Sequence, residues 1–200
     1  MFGAWKTLST VVIGACWGLF GLVWVTGAAY NALRAPAVRQ RSTPASAWLV
    51  GAAGAWVIFR AVPKADWSSL RVQAALPEAI GLPILFAATA FTLWARAVLG
   101  TMWTASAAAK DAHVLHTEGP YAVTRHPIYT GILGMLLGTA LASGLGRWLG
   151  VFVLAVVWVK VKVYAEERLL TKVFGEDYQR YRRRVPQLIP GLRGLTGPQR

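Results

Sequence analysis

The chain has 200 residues, 56% of them hydrophobic and only 14% charged, where soluble domains carry about 25% charged residues. The net charge of +13 invites a nucleic-acid reading, but ten of the 21 Lys and Arg residues, against four acids, lie between Lys160 and Arg200, directly after a long apolar run. A basic segment in that position faces anionic lipid headgroups rather than DNA or RNA. Composition and charge placement thus exclude a soluble globular domain and leave no nucleic-acid partner.

A helix needs about 20 apolar residues to cross the hydrocarbon core, and the chain supplies about five such runs. The first, 8–30, exceeds the roughly 7–15 residues of a signal-peptide core and reads as a retained span. It holds Cys16, the only cysteine, which makes no internal disulfide and no metal cluster and reads as a small packing residue. The second span is 46–62. The third is 78–99, opening after Pro77, a residue suited to a first helical turn. The fourth, 128–146, and the fifth, 148–165, are joined by little more than Gly146-Arg147 and form a tight hairpin. Gly131, Gly134 and Gly138 in the fourth span permit close helix packing. Trp5, Trp48, Trp67, Trp103 and Trp148 fall near span ends, where interface anchoring explains them. The fold class is therefore all-α: a polytopic integral membrane helical protein, one membrane domain over 1–200, with a C-terminal amphipathic segment.

Basic residues set the orientation. Arg34, Arg39 and Arg41 in the first connection, and the basic tail, fall on one side of a five-span arrangement, as does the third connection, 100–127. That side is expected to be cytoplasmic, with the protein in the inner (plasma) membrane. Arg60, Lys64 and Arg71 in the second connection run against this assignment. The two polar stretches richest in possible chemistry, 100–127 and 166–200, are brought to one membrane face.

The third connection contains His113, Val114 and Leu115, then Gly119, Pro120 and Tyr121, and ends in Arg125-His126-Pro127-Ile128-Tyr129. Gly-Pro marks a turn, and Pro127 opens the fourth helix. Arg125 and His126 then sit at its N-terminal edge, where backbone N–H groups and a forked guanidinium hold a carboxylate well; Arg125 snorkelling to lipid phosphate is an equal alternative. The fifth span closes on Glu166-Glu167. Two carboxylates at a helix C-terminus oppose the dipole and need Lys162, Arg168 or Arg125 nearby. They can grip ribose hydroxyls or an amino group, or form an interfacial charge network. After Gly175 a short amphipathic helix follows. Tyr178 and Tyr181 share one face of it and can cap a pocket against the membrane.

The segments H-V-L-H-T-E-G-P-Y-A-V-T-R-H-P-I-Y and E-E-R-L-L-T-K-V-F-G-E-D-Y-Q-R-Y-R-R-R-V-P, in this order and separated by one helical hairpin, closely resemble the isoprenylcysteine carboxyl methyltransferase family, within the wider group that includes phospholipid N-methyltransferases. The resemblance covers about residues 113–190. It implies S-adenosylmethionine held at the cytoplasmic face between the segment before the fourth span and the end of the fifth. By that likeness His113, Val114 and Leu115 line the cofactor, Gly119 and Tyr121 shape the turn beside it, and Arg125, His126, Pro127 and Tyr129 lie in the cofactor and catalytic region. Glu166 and Glu167 contact the cofactor's polar groups or tune the acceptor, with Glu167 among the catalytic set. Tyr178, Tyr181 and the basic residues after them form a lid.

The implied function is methyl transfer to a lipophilic acceptor entering from the bilayer: a prenylated thiol or carboxylate, a phospholipid amine, or another isoprenoid-like molecule. Prenylcysteine enzymes often carry an Arg shortly before the paired carboxylates, where this chain has Lys160 and Lys162, and this leaves the acceptor open. Membrane sterol reductases carry a related Arg-His-Pro-x-Tyr, so an NADPH-dependent lipid reductase is the alternative. No HExxH, GxSxG or CxxC occurs, so no metal is expected, and no GxGxxG follows a strand. Oligomeric state is not legible.

Overall fold

The structure is a computed structural model that describes residues 2–34, 38–41, 53–54, 56–57, 60, 67, 70–72, 75–103, 108–110 and 115–191. The expected second span, 46–62, lies largely outside the described residues, as do Trp48, Lys64, His113 and Val114.

Among the described residues, three helices are long and apolar enough to cross a membrane. They belong to α1 (Phe2–Arg34), α2 (Ala75–Leu99, extended by a 3-10 turn at Gly100–Met102) and α5 (Arg147–Phe174). Hydroxyl residues inside these spans bond the carbonyl one turn back: Thr26 to Leu22 at 2.7 Å, Thr89 to Leu85 at 2.7 Å and Thr92 to Ala88 at 2.7 Å. This satisfies each donor where no water can. Between α2 and α5 come a one-turn helix, α3 (Pro120–Val123), and α4 (Pro127–Ala142); α6 (Glu176–Arg184) follows α5. The Gly-Pro turn is thus a short helix capped by Gly119, whose φ of 58° suits glycine.

Two bounds differ from the sequence expectation. α4 ends at Ala142 because Gly144, Leu145 and Gly146 all take positive φ, a conformation no helix continues through. α5 runs nine residues beyond the expected end of the fifth span, to Phe174, where Gly175 breaks it. Glu166 and Glu167 therefore lie about two turns inside the helix, and the clash with the helix dipole expected at a terminus does not arise.

The tightest packing joins α2 and α4. A Cβ on Gly138 would stand 2.6 Å from the Leu85 backbone nitrogen and 2.7 Å from the Gly81 carbonyl, and one on Gly134 would stand 2.8 Å from Ala88 Cβ. One on Gly131 would overlap Thr92 Oγ1. The three glycines of the fourth span are thus packing residues that let two backbones touch. α1 joins through Cys16, which clusters with Leu85 and Met135, and through Trp17 Nε1, which donates to Thr139 Oγ1 at 3.1 Å. Gly138→Val is expected to cost about 3 kcal/mol by overpacking, read as lost thermal stability in detergent. A variant as stable as the parent would show that the seam tolerates separation.

Connections pair on two opposite ends. β1 (Val38–Arg41), from the first connection, pairs antiparallel with β2 (Ala108–Lys110), from the third, with Val38 opposite Lys110 and Arg41 opposite Ala108. This ribbon is an addition to the otherwise helical fold. At the other end the second connection meets the α4–α5 turn: Val72 N–H donates to Gly144 at 3.2 Å and Gly146 N–H to Leu70 at 3.1 Å.

Candidate active site

The start of α4 and the C-terminal third of α5 meet in a buried polar cluster. Pro127 at the first position of α4 makes His126 the N-cap and aims the side chains before and after it at α5. Glu167 sits 42 residues from Arg125 in sequence, yet Arg125 Nε and Nη2 donate to its Oε1 at 2.9 and 2.7 Å. The two side chains are 9% and 11% exposed, so this forked pair is largely out of water. Glu166, on the next position, accepts from the Tyr129 hydroxyl at 2.6 Å.

His126 lies between the two carboxylates, its Nδ1 3.4 Å from Glu166 Oε2 and its Nε2 3.4 Å from Glu167 Oε1. A neutral ring would aim a lone pair at one carboxylate, so the doubly protonated form suits the site. Burial alone would lower the His126 pKa, but hydrogen bonds to Glu166 and Glu167 outweigh it and raise the value above the ordinary histidine range. Because the folded value is raised, the stability that His126 contributes is fully present below about pH 6.5 and is lost as pH rises through the folded value. The melting-temperature gap between the parent and His126→Gln is therefore expected to be widest at pH 6 and to narrow toward pH 9. A gap constant across that range would mean that His126 carries no extra proton.

Above this cluster lies an aromatic wall. Tyr178 and Tyr181 are both buried, with ring centroids 6.1 Å apart, and the Tyr181 hydroxyl donates to the Tyr121 carbonyl at 2.6 Å. Tyr121 in turn lies 6.2 Å from the His116 ring. Burial pushes the phenols of Tyr121, Tyr178 and Tyr181 well above their ordinary range, so all three remain hydrogen-bond donors at any physiological pH. Two buried atoms in this wall, Tyr178 Oη and His116 Nε2, have no hydrogen-bond partner among the described residues.

A segment that begins at Val185-Pro186, the end of the second quoted motif, closes the site. After α6 the chain doubles back as a strap: Arg125 N–H donates to the Pro186 carbonyl at 2.9 Å and His126 N–H to that of Gln187 at 3.2 Å. Thr130 Oγ1 bonds the Leu188 carbonyl at 2.7 Å, and Lys160 Nζ bonds Gln187 Oε1 at 2.9 Å. Arg125 Nη1 completes the closure on the carbonyls of Val185 and Arg182, at 2.5 and 3.2 Å. Its guanidinium is thus a strut inside the protein, and snorkelling to lipid is not its role.

Of the residues singled out from the sequence, Arg125, His126, Tyr129, Glu166, Glu167, Tyr178, Tyr181, Tyr121 and the α4-opening Pro127 come together at this one end. Gly119 supports the wall from behind, its α-carbon face against Trp94, and Leu115 lies at the first described position before it. Lys162, buried on α5, stacks its ammonium 5.7 Å from the Trp158 ring, while Arg168 lies over Tyr164; Arg125 is the cation that neutralises Glu167. His116, Thr130 and the closing role of the 185–188 strap were missed. His116 left a trace as the second histidine of the first quoted segment, and Val185-Pro186 as the end of the second.

Residues 77–177 match the family model described as phospholipid methyltransferase. Among curated proteins, the chain is 38% identical over 81 residues to the protein-S-isoprenylcysteine O-methyltransferase of Schizosaccharomyces pombe, covering 39% of this chain and 34% of that protein. It is 36% identical over 87 residues to the human protein of the same name, covering 42% and 30%. It is 34% identical over 80 residues to the methanethiol S-methyltransferase of Pseudomonas deceptionensis, covering 40% and 29%. A solved eukaryotic intramembrane Ras methyltransferase, an isoprenylcysteine carboxyl methyltransferase, superposes with a TM-score of 0.56 at 25% identity, over 74% of this chain and 53% of that one. The matches to these curated relatives span about a third of their length, and the structural match about half of the solved protein.

Proposed function

The chain belongs to the phospholipid methyltransferase family, and from that premise we propose that it is an integral membrane methyltransferase that draws on S-adenosylmethionine and methylates a lipophilic acceptor reaching the site from the bilayer. The observation that carries this reading is the union of Arg125, His126, Tyr129, Glu166 and Glu167, from two motifs a hairpin apart, under the Tyr178–Tyr181 wall.

The residues present fit the cofactor. Tyr178 Oη and His116 Nε2 are buried hydrogen-bonding atoms without a partner among the described residues, a state that costs about 1–3 kcal/mol per group unless a ligand or water fills it. The aromatic wall and two adjacent carboxylates suit a cationic, adenine-bearing molecule. Tyr178, His116, Leu115 and Glu166 would hold it, with His113 and Val114 from outside the described residues. When bound, S-adenosylmethionine supplies a methyl group already activated on a sulfonium.

The protein's own part is positioning. Arg125 fixes Glu167, and Tyr129 fixes Glu166 with a 2.6 Å hydrogen bond, so both carboxylates are oriented before any ligand arrives. The strap and α6 exclude water, which strengthens these fields. Alignment of donor and acceptor is then the main demand on the chain. The C-terminus and this site are proposed to face the cytoplasm, in line with the basic residues of the first connection and tail. The relatives that act on isoprenylcysteine favour a prenylated thiol or its carboxylate as acceptor. The methanethiol relative makes a small thiol the second candidate.

The purified protein in detergent is expected to be stabilised by S-adenosylmethionine and S-adenosylhomocysteine and to be indifferent to NADPH. Stabilisation by NADPH alone would overturn the proposal in favour of a lipid reductase.

A further inference from the structure

A second polar feature lies outside the cluster described above. Arg96, in the last turn of α2, is 5% exposed, yet no carboxylate among the described residues pairs with it. Its Nη1 donates to the Gly100 carbonyl at 2.8 Å, and its guanidinium lies 4.7 Å from the Trp103 ring centroid. The helix C-terminus and the ring face offset part of the charge, but Nε is buried with no hydrogen-bond partner among the described residues. Nearby, Asn31 of α1 gives its Nδ2 to the Trp103 carbonyl at 3.1 Å, which leaves Oδ1 as a second buried atom without a partner. Gly27 makes room for the guanidinium, since a Cβ there would stand 2.5 Å from Arg96 Nη2.

Both residues line a cleft of about 400 Å³ between α1 and α2, whose remaining walls include Val23, Leu93 and Ala97, with exposed Thr26 and Tyr30 at its mouth. A guanidinium at the edge of a membrane span with no carboxylate partner among the described residues is costly and makes the place a candidate binding site. The open walls are apolar, and the inner end offers one cationic donor and one neutral acceptor.

We propose that this cleft binds the head of an acidic amphiphile, an anionic oxygen at Arg96 and an adjacent N–H or O–H at Asn31 Oδ1, with its chain lying along Val23 and Leu93. The chemistry is shared by two sources, a resident membrane lipid and the methyl acceptor itself. Tyr121 Oη lies 3.5 Å from the Ala95 carbonyl, so the cleft adjoins the aromatic wall. Identifying the occupant as the acceptor rests on the proposed transferase activity; the binding does not.

The test uses the full-length protein in neutral detergent with three probes of equal chain length: N-dodecanoylglycine, which carries a carboxylate and an N–H; dodecanoate, with the carboxylate alone; and neutral dodecyl maltoside. N-dodecanoylglycine is expected to bind tightest and the maltoside weakest, with at least a tenfold span between them. Arg96→Gln should remove that span. Asn31→Leu should remove only the preference for N-dodecanoylglycine over dodecanoate, and it serves if Arg96→Gln fails to fold. Stabilisation by S-adenosylhomocysteine, expected to be unchanged in both variants, reports the fold and the neighbouring site separately. Equal binding of charged and neutral probes, or undiminished binding by a folded Arg96→Gln variant, overturns the proposal and leaves the transferase reading intact. Radiolabelled methyl appearing on a cleft-bound amphiphile makes it the acceptor; an amphiphile extracted with the protein but never labelled is a resident lipid. Each result keeps the assignment of the cleft.

Discussion

Arg125→Met is expected to lower kcat/KM for methyl transfer at least 100-fold and to cost about 3–5 kcal/mol of stability, the range for removing one partner of a buried charge pair. The effect is large because one guanidinium does three jobs. It neutralises Glu167 through two hydrogen bonds, touches the carbonyls of Arg182 and Val185, and so ties α4, α5 and the strap together. Without it Glu167 is a buried carboxylate with only His126 at 3.4 Å and Arg182 at 3.8 Å. Arg182, Arg183 and Arg184 are already exposed but helical; release of the strap should let the end of α6 unwind into a form trypsin can cut, so limited proteolysis distinguishes an opened lid from global unfolding. The double variant Arg125→Met, Glu167→Leu removes both charges and should recover most of the stability but none of the activity. Recovery of activity in the double variant would reduce the pair to a structural clip. Arg125→Lys should recover only part of either property, because a point charge cannot make the forked contact.

How much of this was legible beforehand depended on the kind of force involved. The site's polar residues could be read because burying a charge in or near a membrane demands a partner. Arg125-His126 before a helix-starting proline, and a Glu pair one hairpin later, had few ways to satisfy one another. The glycines of α4 could be read as packing because nothing else explains three of them in an apolar span. Their counterpart on α2, from Gly81 to Thr92, could not, since Ala88 and Thr92 are ordinary residues until a backbone lies against them. The end of α5 was misplaced for a related reason. Hydropathy reports where lipid stops and helicity need not stop there, so the charged stretch from Glu166 to Phe174 continues the helix. The strap left the weakest trace, because its main contacts run from backbone N–H to backbone carbonyl at Arg125, His126, Pro186 and Gln187, and such bonds have no side-chain signature. The β1–β2 ribbon is silent in the sequence for the same reason.

Glu166→Gln and Glu167→Gln are expected to fail in different ways, although the residues are neighbours and chemically identical. Glu167 Oε1 takes two hydrogen bonds from Arg125 and faces His126 Nε2, and its Oε2 lies 3.8 Å from the Arg182 guanidinium, so both of its oxygens are turned toward the protein's own cations. Glu166 is the more exposed side chain, at 23% against 11%, and is held by one strong bond from Tyr129 and a longer contact to His126. A carboxylate has about four lone-pair sites, so Glu166 retains the capacity to meet a cationic or hydroxyl-bearing ligand. Glu166→Gln should therefore weaken binding of S-adenosylhomocysteine about tenfold and lower kcat about 100-fold, while stability changes by less than about 1 kcal/mol. Glu167→Gln should cost about 2–3 kcal/mol, because a neutral amide cannot balance the buried Arg125, and its loss of activity should track the opening of the strap. Calorimetric Kd, kcat and melting temperature, measured on both variants, separate the two patterns. If Glu167→Gln weakened the cofactor while leaving the strap closed, Glu167 would be the ligand-facing carboxylate and Glu166 its support. The assignment of Glu166 as the one meeting the cofactor would then fall, because the capacity left over after Arg125 would not be what decides which carboxylate a ligand can use.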